Sequence, residues 1–162
     1  MNNKNTYICN DGYVKVYIPN SDDPMLIDWD DWVKLKQYRW TLNDKGYVHG
    51  RVDGKKVVIH RVIMNPSIGY IVDHMHNKKT DNRKSKLRNC TLQENNFNRP
   101  VQKNNTSGTP GVSYIKSSGN WKAEIRSNGF YKYLGTFFDY KAAVKARKDA
   151  EKLYFGEFAP NL

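Results

Sequence analysis

Apolar and polar positions alternate with a period of two in several short stretches, each closed by turn-forming residues. Tyr13-Val14-Lys15-Val16-Tyr17-Ile18 mixes β-branched and aromatic side chains and stops at Pro19-Asn20-Ser21, which predicts a strand. Asp28 then precedes Trp29-Asp30-Asp31-Trp32-Val33-Lys34-Leu35-Lys36, with carboxylates first and lysines last. That order suits the helix dipole, so a short helix is expected. Tyr47-Val48-His49-Gly50-Arg51-Val52 and Lys55-Lys56-Val57-Val58-Ile59 flank Asp53-Gly54, a hairpin signal. His60-Arg61-Val62-Ile63-Met64 continues, helical or extended, to Asn65-Pro66.

The C-terminal part reads more regularly. Three strand-like runs, residues 111–116, 121–126 and 130–137, are separated by Ser117-Ser118-Gly119-Asn120 and Ser127-Asn128-Gly129, which predicts an antiparallel meander. Asp139 can cap a helix reaching about Tyr154, with Ala143, Ala146, Ala150 and Leu153 on one stripe against the sheet. Alternation puts Lys122, Glu124 and Arg126 on one face of the second strand and Trp121, Ala123 and Ile125 on the other. Tyr131 and Tyr133 likewise share a face, opposite Lys132 and Leu134.

Composition adds a partner class. The chain has 162 residues with 27 Lys and Arg against 16 Asp and Glu, a net charge of +11, which points to a polyanion. Residues 1–60 hold 9 basic and 8 acidic side chains, 61–100 hold 8 and 3, and 101–162 hold 10 and 5. The excess therefore belongs to the later segments. No apolar run approaches the roughly 20 residues of a membrane span. The N-terminus lacks the apolar core of a signal peptide, so a cytoplasmic protein is expected. Cys9 and Cys90 lie far apart and are read as inert thiols.

The stretch from Ile71 to Asn98 carries the chemistry. An apolar pair delivers Asp73-His74; a polar loop follows with Asp81-Asn82-Arg83, then Leu87-Arg88, Thr91, Glu94-Asn95 and Asn98. This resembles the HNH endonuclease family, with its V-D-H, D-N-R, N-L-R, T, E-N and final N, and His60-Arg61-Val62-Ile63-Met64 resembles the family's lead-in. The resemblance implies a ββα-metal fold gripping one Mg²⁺ or Mn²⁺. It gives His74 the role of general base, and Asp73 and Asn95 that of metal ligands. Those residue types suit phosphodiester hydrolysis. Neutral imidazole accepts a water proton near physiological pH, and hard oxygens suit a cation that keeps most of its waters. Because strand neighbours point to opposite faces, a bend or bulge is expected at Asp73-His74.

One position departs from the family. Lys86 stands where its middle Asn fixes the loop and orients the histidine. Three readings stay open: a weakened enzyme, a substitution that disarms a toxic nuclease, or compensation by Asn82 or Asn89. His49 and His60 are read as packing histidines, and His76 as a substrate contact or a solvated loop residue. Arg83 and Arg88 are candidate DNA contacts.

Residues 108–161 resemble the AP-two DNA-binding domain of plant ethylene-response factors, through Gly111-Val112, Trp121-Lys122-Ala123-Glu124-Ile125, Tyr133-Leu134-Gly135-Thr136-Phe137, Ala142-Ala143 and Asn161. That resemblance implies a sheet lying in the major groove. Tyr114, Lys116, Lys122, Glu124, Arg126, Tyr131 and Tyr133 are then the candidate contacts.

The expected architecture is α+β. A β-rich extension over 1–60 belongs to the nuclease domain, the HNH motif occupies 61–99, a linker 100–107, and a three-stranded antiparallel sheet packed on one helix 108–162. The expected function is a metal-dependent endonuclease of the phage nicking or homing type, monomeric, acting on double-stranded DNA in a bacterial host cell, with no membrane partner and no small-molecule substrate. The alternative is an inactive HNH relic that binds DNA as a regulator.

Overall fold

Turn chemistry and alternation are obeyed closely in a computed structural model that describes residues 5–97, 101–127 and 129–160. Met1 to Lys4, Asn98 and Arg99 at the end of the motif span, Pro100 of the expected linker, Asn128, Asn161 and Leu162 lie outside the described residues. The chain divides into two units, Met1–Leu92 and Gln93–Leu162, built from small antiparallel sheets and a few helices, as an α+β chain would be.

In the first unit, β1 (Tyr7–Cys9), β2 (Tyr13–Val16) and β3 (Met25–Asp28) form one antiparallel sheet, and α1 (Trp29–Leu35) follows at once. A second sheet pairs β4 (Trp40–Leu42), β5 (Val48–Val52) and β6 (Lys55–Val58). Asp53 and Gly54 both take positive φ, 48° and 77°, which suits the primed turns that join two strands by two residues. α2 (Ile59–Met64) ends at Asn65 in the left-handed conformation, a helix stop that Asn tolerates.

Val14, Val16, Met25, Ile27, Trp32, Trp40, Val48 and Ile59 make one core. An indole buries 150–250 Å², roughly 4–6 kcal/mol of transfer free energy for Trp40 alone. Its polar atoms are satisfied as well: Nε1 donates to the Leu35 carbonyl at 3.0 Å, and its backbone N–H donates to Asn5 Oδ1 at 2.7 Å.

β7 (Ile71–His74) and β8 (Leu87–Cys90) pair in register, Asp73 opposite Arg88 and His74 opposite Leu87. The ladder runs regularly through His74, which corrects the expected bulge. The chain instead turns immediately afterwards, where the Asn77 N–H donates to the His74 carbonyl at 2.9 Å. The loop that follows is pinned to β3: Leu26 donates to the Thr80 carbonyl at 2.9 Å and receives the Asn82 N–H at 2.8 Å. α3 (Leu92–Phe97) comes directly after β8. Cys90 is buried, Cys9 is exposed, and neither forms a disulfide.

The second unit is a sheet of order β11-β10-β9, from β9 (Val112–Ile115), β10 (Asn120–Ser127) and β11 (Phe130–Phe137), with α4 (Tyr140–Phe155) on one side. Asp139 caps α4 as expected, its carboxylate accepting from the Ala142 N–H at 2.9 Å. Ala123 and Ile125 are fully buried on the helix side. The β10–β11 register shifts between Ala123 and Glu124, whose partners are Gly135 and Tyr133, so Leu134 is the extra residue of a bulge.

The α4 stripe differs from expectation. Ala143 and Ala150 are buried, but Leu153 is 74% exposed, and the stripe runs instead through Arg147, Glu151 and Phe155. Arg147 Nε donates to Glu151 at 2.8 Å and Nη1 to the Glu124 carbonyl at 2.7 Å. A pattern that treats charges as outward-facing misses a buried pair of this kind. Residues 101–110 carry no helix or strand, yet Tyr140 donates to the Ser107 carbonyl at 2.7 Å and meets Thr109 Oγ1 at 2.9 Å, holding that segment to α4.

Candidate active site

His74 is the last residue of β7 and is buried. Its Nε2 lies 3.3 Å from Oδ1 of Asn82, itself completely buried. The Asn82 amide nitrogen faces the Lys79 carbonyl at 3.5 Å. Since a carbonyl can only accept, the NH₂ group belongs on that side and the oxygen on the histidine side. The tautomer that matches this orientation carries its proton on Nε2, toward Asn82 Oδ1, and its lone pair on Nδ1. Of the two asparagines considered as substitutes for the motif's missing one, Asn82 contacts the imidazole, whereas Asn89 is exposed on β8 opposite Val72.

Two more rings surround His74. His60 on α2 meets it edge-on at 4.9 Å, and Tyr47 lies 6.0 Å from it and 5.4 Å from His60. Burial pushes His74 below the ordinary histidine value, opposed by the Asn82 hydrogen bond and the carboxylates of Asp73 and Asp81. His60 is pushed to about 3, by burial first and then by His74 and Arg61. Both rings are thus neutral at physiological pH. The packing role expected for His60 holds, with His74 as what it packs against. No spacing rule joins positions 60 and 74, so only the fold brings this pair together.

A cavity of about 170 Å³ opens beside the imidazole, lined by His74, His76, Lys78, Asp81 and Lys86. Lys86 ends a single 3-10 turn, Lys84–Lys86, and its carbonyl accepts from Met75 N–H at 3.1 Å. Burial would raise Asp81, but the bonds and charge of Arg83 hold its carboxyl below the usual range, with help from Lys86. Arg83 forks onto Asp81 at 2.8 and 2.6 Å and lies over the Tyr13 ring.

Asp73 points the other way from His74, as alternation requires. Arg88, directly opposite on β8, donates to Asp73 Oδ2 through Nε at 3.0 Å and Nη2 at 2.8 Å. Arg83 and Arg88, the two guanidinium groups of the motif nominated for DNA, are thus held by its carboxylates. Asn95 is half-buried on α3 in the second unit. Among the described residues, no three His, Cys, Asp or Glu side chains gather as a metal cage. Asp73 and Asn95 are hard oxygen donors of the kind a cation with one or two protein ligands takes, and they belong to different units.

In the second unit, cross-strand pairing sets Glu124 opposite Tyr133 and Arg126 opposite Tyr131, so these four share the face away from α4 with Lys122. Lys122 pairs with Glu124 at 2.7 Å, Tyr131 donates to Glu124 at 3.2 Å, and Arg126 lies over the Tyr131 ring. Tyr133 and Tyr131 are about half exposed. Tyr114 does not join them: it pairs with Trp121 and its ring rests 5.0 Å from that indole, on the helix side. Lys116 is exposed in the turn after β9.

Among the described residues no helix is long and apolar enough to cross a membrane. Comparison with known proteins adds two relatives. An uncharacterized HNH endonuclease of Acanthamoeba polyphaga mimivirus is 33% identical over 144 residues, 84% of this chain and 73% of the relative. Protein 3.8 of Escherichia phage T7 is 31% identical over 61 residues, 38% of this chain and half of the phage protein. No family model and no solved structure matches the chain.

Proposed function

The chain belongs to the HNH endonuclease family, and from that premise we propose that it hydrolyses phosphodiester bonds of double-stranded DNA with His74 as general base. The observation that carries the reading is the buried imidazole held through Nε2 by Asn82 beside a cavity that also holds Lys78 and Lys86. Nδ1 takes the proton of the attacking water as its oxygen meets phosphorus. The two lysines attract the phosphate and offset charge that grows on its oxygens.

Asp73 would be a donor to a single Mg²⁺ or Mn²⁺, with Asn95 the second donor that the family resemblance names. Such a cation would supply Lewis-acid chemistry, but Asp73 leaves β7 on the face opposite His74, so the regular strand does not by itself bring donor and base onto one phosphate. In the second unit, Lys122, Arg126, Tyr131 and Tyr133 form an AP-two-like surface that sets the protein on the duplex. The nicking or homing character is supported by the likeness to viral proteins.

A supercoiled-plasmid assay with Mg²⁺, Mn²⁺ or EDTA tests this. Nicking should need the divalent ion and disappear in His74→Ala, and Lys86→Asn should nick faster than the parent. Cleavage in EDTA, or cleavage that survives His74→Ala, would overturn the mechanism. Tight binding without nicking by either the parent or Lys86→Asn would favour a DNA-binding relic.

A further inference from the structure

The first 60 residues are nearly neutral by count, yet the fold sorts their charges. In the β4-β5-β6 sheet, Trp40, Val48, Gly50 and Val57 turn inward. The opposite face carries Thr41 paired with His49 and Arg51 paired with Lys56, with Arg39 two residues ahead of Thr41 on the same parity. Arg39, Thr41, His49, Gly50, Arg51 and Lys56 line one open depression of about 370 Å³. Three cations, an imidazole and a hydroxyl stand there, and no carboxylate is in the lining. Three of the segment's eight acids are engaged elsewhere: Asp28 and Asp31 hold Lys84, and Asp53 accepts from Tyr38.

We propose that this face is a second DNA-contact surface, binding phosphates of the strand that leads away from His74. The inference rests on the nuclease reading for the identity of the polyanion. Continuity along β5 supports it. Tyr47 stands two residues before His49, and its ring is 6.0 Å from that of His74. From Tyr47 to Arg51 is four residues, about 14 Å at roughly 3.4 Å each. That matches about four phosphate steps along one strand of a duplex, at 3.4 Å of axis per step.

The chemistry suits phosphate. Arg51 Nη1 donates to the Gly54 carbonyl at 3.1 Å, which steadies the guanidinium while it keeps further N–H donors. Arg39 offers a second planar fork and Lys56 a compact charge. Thr41 Oγ1 lies 3.3 Å from His49 Nε2, so a hydroxyl and a ring are ordered between the cations.

The test measures binding of a fluorescein-labelled DNA duplex to the full chain in EDTA, as a function of salt. The triple variant Arg39→Gln/Arg51→Gln/Lys56→Gln should bind more weakly at every salt concentration. The slope of log K against log salt should fall by about 0.9 per lost contact, close to 3 for the triple variant. Lys34→Gln/Lys36→Gln, which removes the same kind of charge from the α1 region, should keep the parent slope.

An unchanged slope in the triple variant overturns the proposal. So does an equal loss in the Lys34/Lys36 control, or a loss seen with an RNA duplex but absent with DNA. The two readings fail separately. A reduced slope with no cleavage by any form leaves this surface standing and removes the nuclease; nicking by the parent with an unchanged slope does the reverse.

Discussion

Replacing Asn82 with alanine is the perturbation to which the site should respond most directly. Asn82 is 0% exposed and its Oδ1 faces His74 Nε2 at 3.3 Å. Alanine leaves either a buried imidazole N–H without its acceptor or a proton moved to Nδ1, where it blocks the base. An unsatisfied buried donor costs about 1–3 kcal/mol, so the productive tautomer loses that much of its advantage. At about 1.4 kcal/mol per tenfold, nicking should slow by about 5- to 150-fold. Single-turnover plasmid nicking reads the rate. ¹⁵N spectra of histidine-labelled protein read the tautomer independently, with a protonated Nε2 in the parent and a mixture in the variant. Asn82→Asp keeps an oxygen on Nε2 and should retain more of the rate. Its added charge favours imidazolium, so the acid limb of its pH–rate profile should move to higher pH. A folded Asn82→Ala protein with the parent rate and the parent ¹⁵N signature would refute the reasoning.

Three further outcomes are expected. The folded pKa of His60, near 3, lies below the ordinary 6.5. The unfolded chain therefore binds the extra proton first, and the stability His60 contributes is intact above pH 6.5 and lost as pH falls toward 3, at up to about 1.4 kcal/mol per unit. His60→Phe should flatten that acid limb in urea titrations; an unaltered limb would count against it. Arg88→Gln leaves the Asp73 carboxylate without its fork in a site where Arg88 and Asp73 are 12% and 7% exposed. A loss of about 3–5 kcal/mol by urea unfolding is expected, and restoration of part of it by Asp73→Asn in the same chain; a loss under about 1 kcal/mol would be typical of a surface pair instead. Gly111 has φ 72°, and a Cβ there would stand 2.3 Å from the Glu124 carbonyl oxygen and 2.6 Å from Arg147 Nη1. Gly111→Ala should destabilise the protein by the order of 2 kcal/mol or more and so lower its melting temperature, and an unchanged melt would refute the clash.

Local rules reach some of these elements and not others. The Asp53-Gly54 hairpin, the three C-terminal strands and the Asp139 cap are legible because turn residues and period-two alternation act over a few neighbours. β1, β3 and β4 escape such rules: three or four residues each, they owe their pairing to tertiary partners, such as Asn5 clamping Trp40. Asp28 precedes α1 as expected, but its carboxylate accepts from Lys84 N–H at 2.7 Å rather than capping its own helix. The motif makes His74 and Asp73 visible. The partition of Asp73 and His74 to opposite sides follows from strand alternation, but the Asn82 contact and the His60 ring depend on tertiary placement, including the loop pinned to β3, which no spacing encodes. Tyr114 takes the helix side rather than the outer face for a similar reason, since the register of β9 against β10 decides where it goes.

Phe97, the last described residue of α3, stacks on Phe155 at 4.1 Å and 6° and joins the core of Ile125 and Ala150. The helix that ends the HNH motif is thereby anchored in the module that follows. For recombination, natural or engineered, the usable seam lies at the start of that helix and not in the polar stretch after it. A cassette cut after position 99 would carry α3 away from its aromatic partner, and a C-terminal module transplanted without α3 would expose the Phe155 ring. Exchange of the C-terminal module between members of the HNH family should therefore succeed when α3 travels with it.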